Sequence, residues 1–353
     1  MGKTEDLLKI LREELKSGRY KAGSKFPSER KLMMRFNAAR TTVNKITAQL
    51  AGEGLIRRGV QGAGTRVVGA SPFPKGELAY LGTLADSYYA RLVNGIQQTA
   101  FLKNYALSVF SPGPEMIYHG LEKIRHSRYL GLLVSNIGII PGIFPIPVVY
   151  LDNGYEVSEQ VRVSVTCTNY RGAYELAQAV IGHGHREILV FTSFMDSEFS
   201  RGNRLRGFMD ALVGSRIPKA EKRLFRETLK DVASVKFLLQ KALKDFPGTT
   251  VIMTDSDSIA MKLFQVLRDM DMEKKITITG FGNLSHSGGL MQIPGVEQHP
   301  EEIGAQGVNE LIRMIEEPGY VSPGLIEIET ELVNLQNIPV ISGSSRQKRK
   351  GKA

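Results

Sequence analysis

Apolar residues Leu7, Leu8, Ile10, Leu11 and Leu15 recur at helical spacing, and Gly18 stands where a helix-ending glycine belongs. After a loop closed by Gly23, Phe26-Pro27-Ser28-Glu29-Arg30 reads as a second helix start. Ser28 is placed to accept a bond from a free backbone N–H, and Glu29 suits the positive helix end. Leu32, Met33 and Phe36 supply its inward face. A turn at Asn37-Ala38-Ala39 leads into a third helix, about Arg40 to Gly52, buried through Val43, Ile46 and Leu50. Alternating segments around Leu55–Arg58 and Thr65–Val68 then flank the glycine-rich tip Gly59-Val60-Gln61-Gly62-Ala63-Gly64. Three short helices and a hairpin predict a winged helix-turn-helix over residues 1–70. Such units insert the helix after the turn into the major groove, although small three-helix units also mediate protein contacts.

Ser71-Pro72-Phe73-Pro74-Lys75-Gly76 suits neither a helix nor a strand interior, so residues 71–77 read as a linker. Beyond it, apolar runs alternate with helical patterns over residues 78–340. The runs Leu78–Leu84, Tyr105–Phe110, Gly131–Val134, Val148–Leu151, Glu187–Thr192, Thr250–Thr254 and Ile276–Gly280 read as strands. The stretches Tyr89–Leu102, Arg171–Ile181, Asn203–Leu212, Val232–Lys244 and Ile259–Asp269 read as helices. This alternation predicts an α/β domain of parallel sheets flanked by helices. Ligands of such sheets sit beyond the carboxyl ends of the strands. The loops Ala85–Tyr89, Ser135-Asn136, Asp196–Arg204, Asp255–Asp257 and Gly282-Asn283 therefore mark the expected site.

Charge sharpens this division. Of 353 residues with a net charge of +10, residues 1–70 hold 15 bases against 6 acids, and residues 341–353 hold 5 bases and no acids. The remaining 26 bases face 30 acids, so the middle is mildly acidic and the positive excess sits at the two ends. Concentrated positive charge attracts nucleic-acid phosphates. The tail 341–353 is low in complexity and reads as disordered. No run reaches the ~18 apolar residues of a membrane span, and the polar N-terminus has no signal core. Cys167 is the only cysteine, which excludes an internal disulfide and fits a reducing cytoplasm.

Three motifs invite chemistry and do not assemble into it. His183-Gly184-His185 has no acidic or histidine partner at metal-binding spacing and reads as a turn. Asp255-Ser256-Asp257 follows a strand without a phosphate-cradling loop, and reads as a helix cap or a ligand contact. Gly62-Ala63-Gly64-Thr65 lacks the lysine of a P-loop. No Gly-x-Ser-x-Gly elbow is present. Binding without catalysis, and without a cofactor or metal, is the economical reading. Two alternatives stand beside it: an α/β enzyme acting on a sugar or nucleoside with the basic head as a tether, or a sensor whose head contacts protein.

Pro27-Ser28-Glu29-Arg30, Arg40-Thr41-Thr42-Val43, Glu53-Gly54-Leu55-Ile56 and Gln61-Gly62-Ala63-Gly64-Thr65-Arg66-Val67, in this order, resemble the GntR-family DNA-binding head. The resemblance implies contacts to double-stranded DNA by Arg30, by Arg40, Thr41 and Thr42, and by the wing tip at Gln61 and Gly62. Asn44 and Lys45, exposed on the same helix turn, complete the candidate set. Ala39 stands where many members have a capping Ser or Thr, and Asn44 where many have arginine.

A second ordered series runs from Tyr88-Tyr89-Ala90-Arg91-Leu92-Val93-Asn94-Gly95-Ile96 through Gly131-Leu132-Leu133-Val134 and Ile146-Pro147-Val148-Val149-Tyr150-Leu151-Asp152. It continues through Asn169-Tyr170-Arg171-Gly172-Ala173, Arg204-Leu205-Arg206-Gly207-Phe208, Asp257-Ser258-Ile259-Ala260 and Gly280-Phe281-Gly282-Asn283. This series resembles the LacI/GalR-type effector domain, which is periplasmic-binding-protein-like, with two lobes and a ligand between them. The pairing with a GntR head resembles the arabinose-repressor architecture. It implies a ligand-responsive regulator, a repressor acting as a homodimer on a near-palindromic operator in the cytoplasm. Lobe crossings are expected near 167–170, 290–294 and 320–324. A small carbohydrate-like effector would meet Arg204 first, with Tyr88, Tyr89, Ser135, Asp257, Asn283 and Gln298 as further contacts. Thr168 and Gly282 occupy positions where sugar-responsive members often carry hydroxyl-gripping aspartates, which argues against a conventional monosaccharide.

Overall fold

The computed structural model describes residues 3–59, 64–68, 73–137, 140, 143–152, 163–192, 199–229, 231–283 and 292–341. Gln61, Gly62 and the tail from 342 onward lie outside the described residues. Two compact units form, Met1–Gly76 with Asn104–Ala106, and Glu77–Lys103 with Leu107–Ala353. In the first, helices α1 (Lys3–Lys16), α2 (Glu29–Phe36) and α3 (Arg40–Gly52) precede an antiparallel hairpin of β1 (Ile56–Arg58) and β2 (Thr65–Val67). Leu11, Leu32, Leu50 and Ile56 are all but fully buried at its centre, one from each helix and one from the hairpin. The Ser28 side chain caps α2 by accepting from the Lys31 N–H, and Asn37 closes α2 in the left-handed conformation at φ 43°. A buried carboxylate ties α1 to α2: Glu14 accepts from Arg19, Arg35 and Tyr20, and Arg35 holds its carboxyl below the usual range.

The second unit contains two six-stranded sheets. The first follows the order β13-β7-β6-β5-β3-β4, built from β3 (Gly76–Leu81), β4 (Tyr105–Phe110), β5 (Gly131–Ser135), β6 (Val148–Leu151), β7 (Val163–Cys167) and β13 (Leu325–Ile328). The second follows β14-β12-β11-β10-β8-β9, from β8 (Ile188–Thr192), β9 (Leu224–Arg226), β10 (Val251–Thr254), β11 (Thr277–Phe281), β12 (Gly295–Glu297) and β14 (Glu331–Val333). The central strands pair parallel, and only the edge strand β14 runs antiparallel to its neighbour β12 among the described pairings. Strands buried on both faces carry unbroken apolar runs such as Leu78-Ala79-Tyr80-Leu81, each fully buried. Helices α4 (Ser87–Leu102), α5 (Ile117–Arg125) and α10 (Pro300–Glu316) belong to the first lobe. Helices α6 (Asn169–Gly182), α7 (Phe199–Gly214), α8 (Val232–Asp245) and α9 (Asp257–Asp269) belong to the second. Glycine sets one close helix crossing: a Cβ on Gly95 of α4 would lie 2.0 Å from the Glu301 carbonyl oxygen of α10.

The chain changes lobe three times. The first change is at Thr168, between β7 and α6. The second and third come later than the expected 290–294 and 320–324. Pro294 leads into the short buried strand β12 rather than out of the lobe, so the second crossing falls at Gln298-His299, where His299 turns left-handed at φ 54° to start α10. Residues 325–328 pair with β7 before the chain leaves, so the third crossing falls at Glu329-Thr330. First and third crossings are stitched together: Thr168 Oγ1 lies 3.0 Å from Thr330 Oγ1 and accepts from the Thr330 N–H at 3.1 Å.

Candidate functional site

The expected DNA contacts among the described residues lie on α2 and α3. Arg30, Arg40, Thr41 and Lys45 are exposed, while Thr42 and Asn44 are half-buried on the same end of α3. Ala39 provides no side-chain cap, which leaves the first-turn N–H groups of α3 available to an acceptor such as a phosphate oxygen. Asn44 departs from its expected role, because its amide packs against the Glu29 carboxylate, 2.5 and 2.7 Å away. It therefore joins α3 to α2 instead of standing free for a base edge. Arginines of the hairpin were not among the expected contacts. Arg57 and Arg66 face each other in register across the hairpin, both exposed. Like charges placed opposite one another destabilise a hairpin unless an anion lies between them. Arg66 also donates to the Gly23 carbonyl at 2.8 Å, and Arg58 anchors β1 to α3, donating to Thr47 Oγ1 at 2.6 Å and to the Asn44 carbonyl.

In the second unit a cavity of about 520 Å³ lies between the lobes, at the carboxyl ends of the strands of both sheets. The first lobe contributes Asp86, Tyr88 and Tyr89 from the start of α4, Asn136 after β5, and Asp152 after β6. The second contributes Ser200, Arg201 and Arg204 from α7, Asp257, Met261, Lys262 and Gln265 along one face of α9, and Phe281 and Gly282 after β11. Gln298 enters from the second crossing. Asp86 caps α4 through the Tyr89 N–H at 3.2 Å, and this first turn stacks the rings of Tyr88 and Tyr89 edge to face, 5.2 Å apart.

Arg204 organises the floor. Its Nε donates to Asn169 Oδ1 at 2.6 Å, Nη1 to the Asp255 carbonyl at 3.0 Å, and Nη2 to Gln298 Oε1 at 2.5 Å. Nη2 also lies 3.6 Å from Asp152 Oδ1 of the opposite lobe, and the guanidinium sits 4.3 Å from the Phe281 ring centre. A guanidinium has five N–H donors; three are committed to protein, and Nη2 also faces Asp152. Burial raises the Asp152 carboxyl above its usual range, and the Arg204 charge opposes that rise. Burial likewise pushes Asp257 up to about 7, against a hydrogen bond from the Phe281 backbone and the Arg204 charge. Burial also raises the Tyr88 and Tyr89 phenols above their usual range. Lys262 Nζ donates to the Leu229 carbonyl at 2.9 Å.

Of the expected effector contacts, the cavity brings together Tyr88, Tyr89, Arg204, Asp257 and Gln298. Two do not line it. Ser135 is fully buried at the end of β5, with its hydroxyl 2.5 Å from that of Tyr80, and Asn136 takes the lining position. Asn283, left-handed at φ 61°, turns its amide to Glu297 at 2.8 Å. The absent aspartates also have a structural account. Thr168 belongs to the stitched crossings, and a Cβ on Gly282 would lie 2.7 Å from Asp257 Oδ2. The cavity is nonetheless supplied with carboxylates, from Asp86, Asp152 and Asp257. Asp152, Met261, Lys262 and Gln265 had not been expected in the site. The two histidines of 183–185 engage the protein, His183 Nδ1 at the Ala179 carbonyl and His185 between Thr250 and the Pro339 carbonyl.

Comparison with known proteins agrees with this geometry. Residues 3–67 match the family described as bacterial regulatory proteins, gntR family, and residues 78–331 match periplasmic binding proteins and sugar binding domain of LacI family. The arabinose metabolism transcriptional repressor of Geobacillus stearothermophilus is 25% identical over 345 residues, 90% of this chain and 92% of that protein. Its counterpart from Halalkalibacterium halodurans is 25% identical over 320 residues, covering 83% of this chain and 84% of that one. Among solved structures, the transcriptional regulator CelR–cellobiose complex shares the fold with TM-score 0.63 at 17% identity, over 84% of this chain and 90% of its own. CcpA of Lactococcus lactis does so with TM-score 0.63 at 18% identity, over 73% and 97%.

Proposed function

This chain belongs to the family of periplasmic binding proteins and LacI-type sugar-binding domains, with a gntR-family regulatory head, and from that premise we propose a mechanism for it. It is a DNA-binding transcription regulator with a sugar-binding domain. In the mechanism, two copies bind a near-palindromic operator in the cytoplasm, each placing α3 in a major groove, with Arg30, Arg40, Thr41, Thr42 and Lys45 as contacts and the wing arginines on phosphate. Gln61 and Gly62 remain wing-tip contacts by resemblance. Exposed Val109, Phe110 and Leu130, at and beside the edge strand β4, supply apolar surface for pairing. A small effector binds between the lobes and relieves repression. It acts only through different affinities for the DNA-competent and DNA-incompetent states.

The observation that carries the effector class is the engagement of Arg204 and Lys262, which line the cavity beside a third described cation, Arg201. Arg204 already holds three acceptors and faces Asp152, and Lys262 holds the Leu229 carbonyl. An anion would have to share these cations with the acceptors they already hold and approach the carboxyls of Asp86, Asp152 and Asp257, whereas those carboxyls and the Tyr88–Tyr89 pair suit the hydroxyls and apolar face of a neutral sugar. Arabinose and cellobiose head the test set, because a similar repressor is named for the metabolism of the first and a structure of like fold holds the second. Calorimetry should show a neutral sugar binding and sugar phosphates failing; binding of phosphates alone would overturn the reading.

Asp257 gives this site a pH signature. The folded carboxyl takes its proton near pH 7, the unfolded one near ~3.9. Between those values the folded state binds more protons than the unfolded, so unliganded stability falls as pH rises. Effector affinity should move the other way, since hydroxyls donate to the ionised form. We expect it to rise up to about tenfold per unit from pH 5.5 to 7 and level off near 8. Asp257→Asn should flatten the profile. A wild-type profile that is flat in calorimetry refutes this assignment.

A further inference from the structure

A second cavity of about 170 Å³ adjoins the first in the N-terminal lobe, and Thr83 and Asn136 line both. Among the described residues its other walls are Gly82 and the apolar Leu81, Pro112, Pro114, Ile117 and Ile137. Close packing beneath it depends on Gly82, where a Cβ would lie 2.5 Å from Ser135 Oγ and 2.6 Å from the Tyr80 hydroxyl. Those two hydroxyls bond each other at 2.5 Å, so the polar groups under the annex are satisfied and do not draw on its contents. An apolar cavity of roughly 150 Å³ in a protein interior stays dry and accepts benzene. The annex has a similar volume and a mostly apolar described lining, and it opens beside a polar chamber with hydroxyl acceptors.

Resting on the neutral-sugar reading, we propose that the effector is a sugar bearing a compact apolar substituent, such as a phenyl-sized or branched-alkyl aglycone. The sugar ring occupies the polar chamber and the substituent passes Thr83 and Asn136 into the annex. Each buried methylene should tighten binding about fourfold.

Matched methyl, isopropyl and phenyl β-D-glucosides and α-L-arabinosides, titrated by calorimetry into the full chain, test this, with fluorobenzene observed by ¹⁹F NMR as a sugar-free probe of the annex. The expected result is a phenyl over methyl preference of at least about tenfold. Ile117→Phe, which fills the annex, should erase that preference and fluorobenzene binding while leaving methyl glycoside affinity unchanged. Ile117→Ala, which enlarges the annex, should shift the preference towards naphthyl glycosides. Methyl glycosides that bind without any preference for larger aglycones overturn the annex and leave the sugar reading standing. If no glycoside binds, the sugar reading fails, and fluorobenzene binding that is insensitive to Ile117→Phe, or absent, overturns the annex separately.

Discussion

Arg204→Met should lower the stability of the effector domain by about 3–5 kcal/mol, or about 10 °C in its thermal midpoint, and abolish the response to effector. The cause is the orphaning of what Arg204 holds: Asn169 Oδ1, the Asp255 carbonyl, Gln298 Oε1 and the buried Asp152 carboxylate. Lysine should not rescue it, since a single ammonium cannot reproduce a planar fork that meets acceptors in three directions. Two controls separate this cause from simple loss of packing. Asp152→Asn added to Arg204→Met should recover part of the loss, because no unpaired charge then remains buried. The loss should also shrink between pH 8 and pH 5. Asp152 stripped of its cation takes up a proton more readily, and the protonated form carries no unpaired charge. Differential scanning calorimetry should resolve the head and effector-domain transitions, with the head unmoved. A single-mutant loss below ~1 kcal/mol would contradict the role given to Arg204.

Arg30→Ala with Arg40→Ala should weaken operator binding at least ~100-fold and reduce the slope of log affinity against log salt by about 2. Both side chains are exposed, so thermal stability of the head should stay within about 0.5 kcal/mol of wild type. Other positions on the same surface should behave differently. Arg58→Ala removes a bond to Thr47 that anchors the wing, and should cost stability as well as affinity. Asn44→Ala breaks the link to Glu29 and should cost stability without changing which base pairs are preferred. Fluorescence anisotropy across a salt series distinguishes these outcomes. Unchanged affinity in the double variant would remove α2 and α3 from the interface.

The elements that could be read from sequence were those with their own local signal. Val148–Leu151 and Tyr105–Phe110 match the observed strands residue for residue, and the Ser28 cap and the Asn37 turn bound α2 where the pattern of polar residues suggested. Elements that depend on distant partners were harder to read. Strand β12 is three residues long and exists because β11 and β14 flank it, and β13 alternates half-buried with exposed residues at a sheet edge. Helix α10 is not legible despite its proline start, and the second and third crossings fall a few residues beyond the ranges expected for them. In the site, residues at the helix starts that follow strand ends were found, such as Tyr88, Tyr89 and Asp257. Met261, Lys262 and Gln265 were not, because they lie one and two turns into α9, on a face that only the opposing lobe defines as a cavity wall. Ser135 and Asn136 show the limit most simply. Adjacent in sequence and both polar, they are separated by the strand end, which points one at Tyr80 and the other at the cavity.

The account stands on coupling between a groove-binding head and an effector held between two lobes. Its most direct test is titration of labelled DNA from upstream of the protein's own gene at fixed salt, with and without saturating amounts of the neutral sugar identified by calorimetry. We expect two chains per fragment, preference over random DNA of at least about a thousandfold, and a loss of affinity of about 5- to 150-fold when the sugar is bound. Equal affinity for random DNA, or operator affinity that is indifferent to a sugar verified to occupy the cavity, would contradict it.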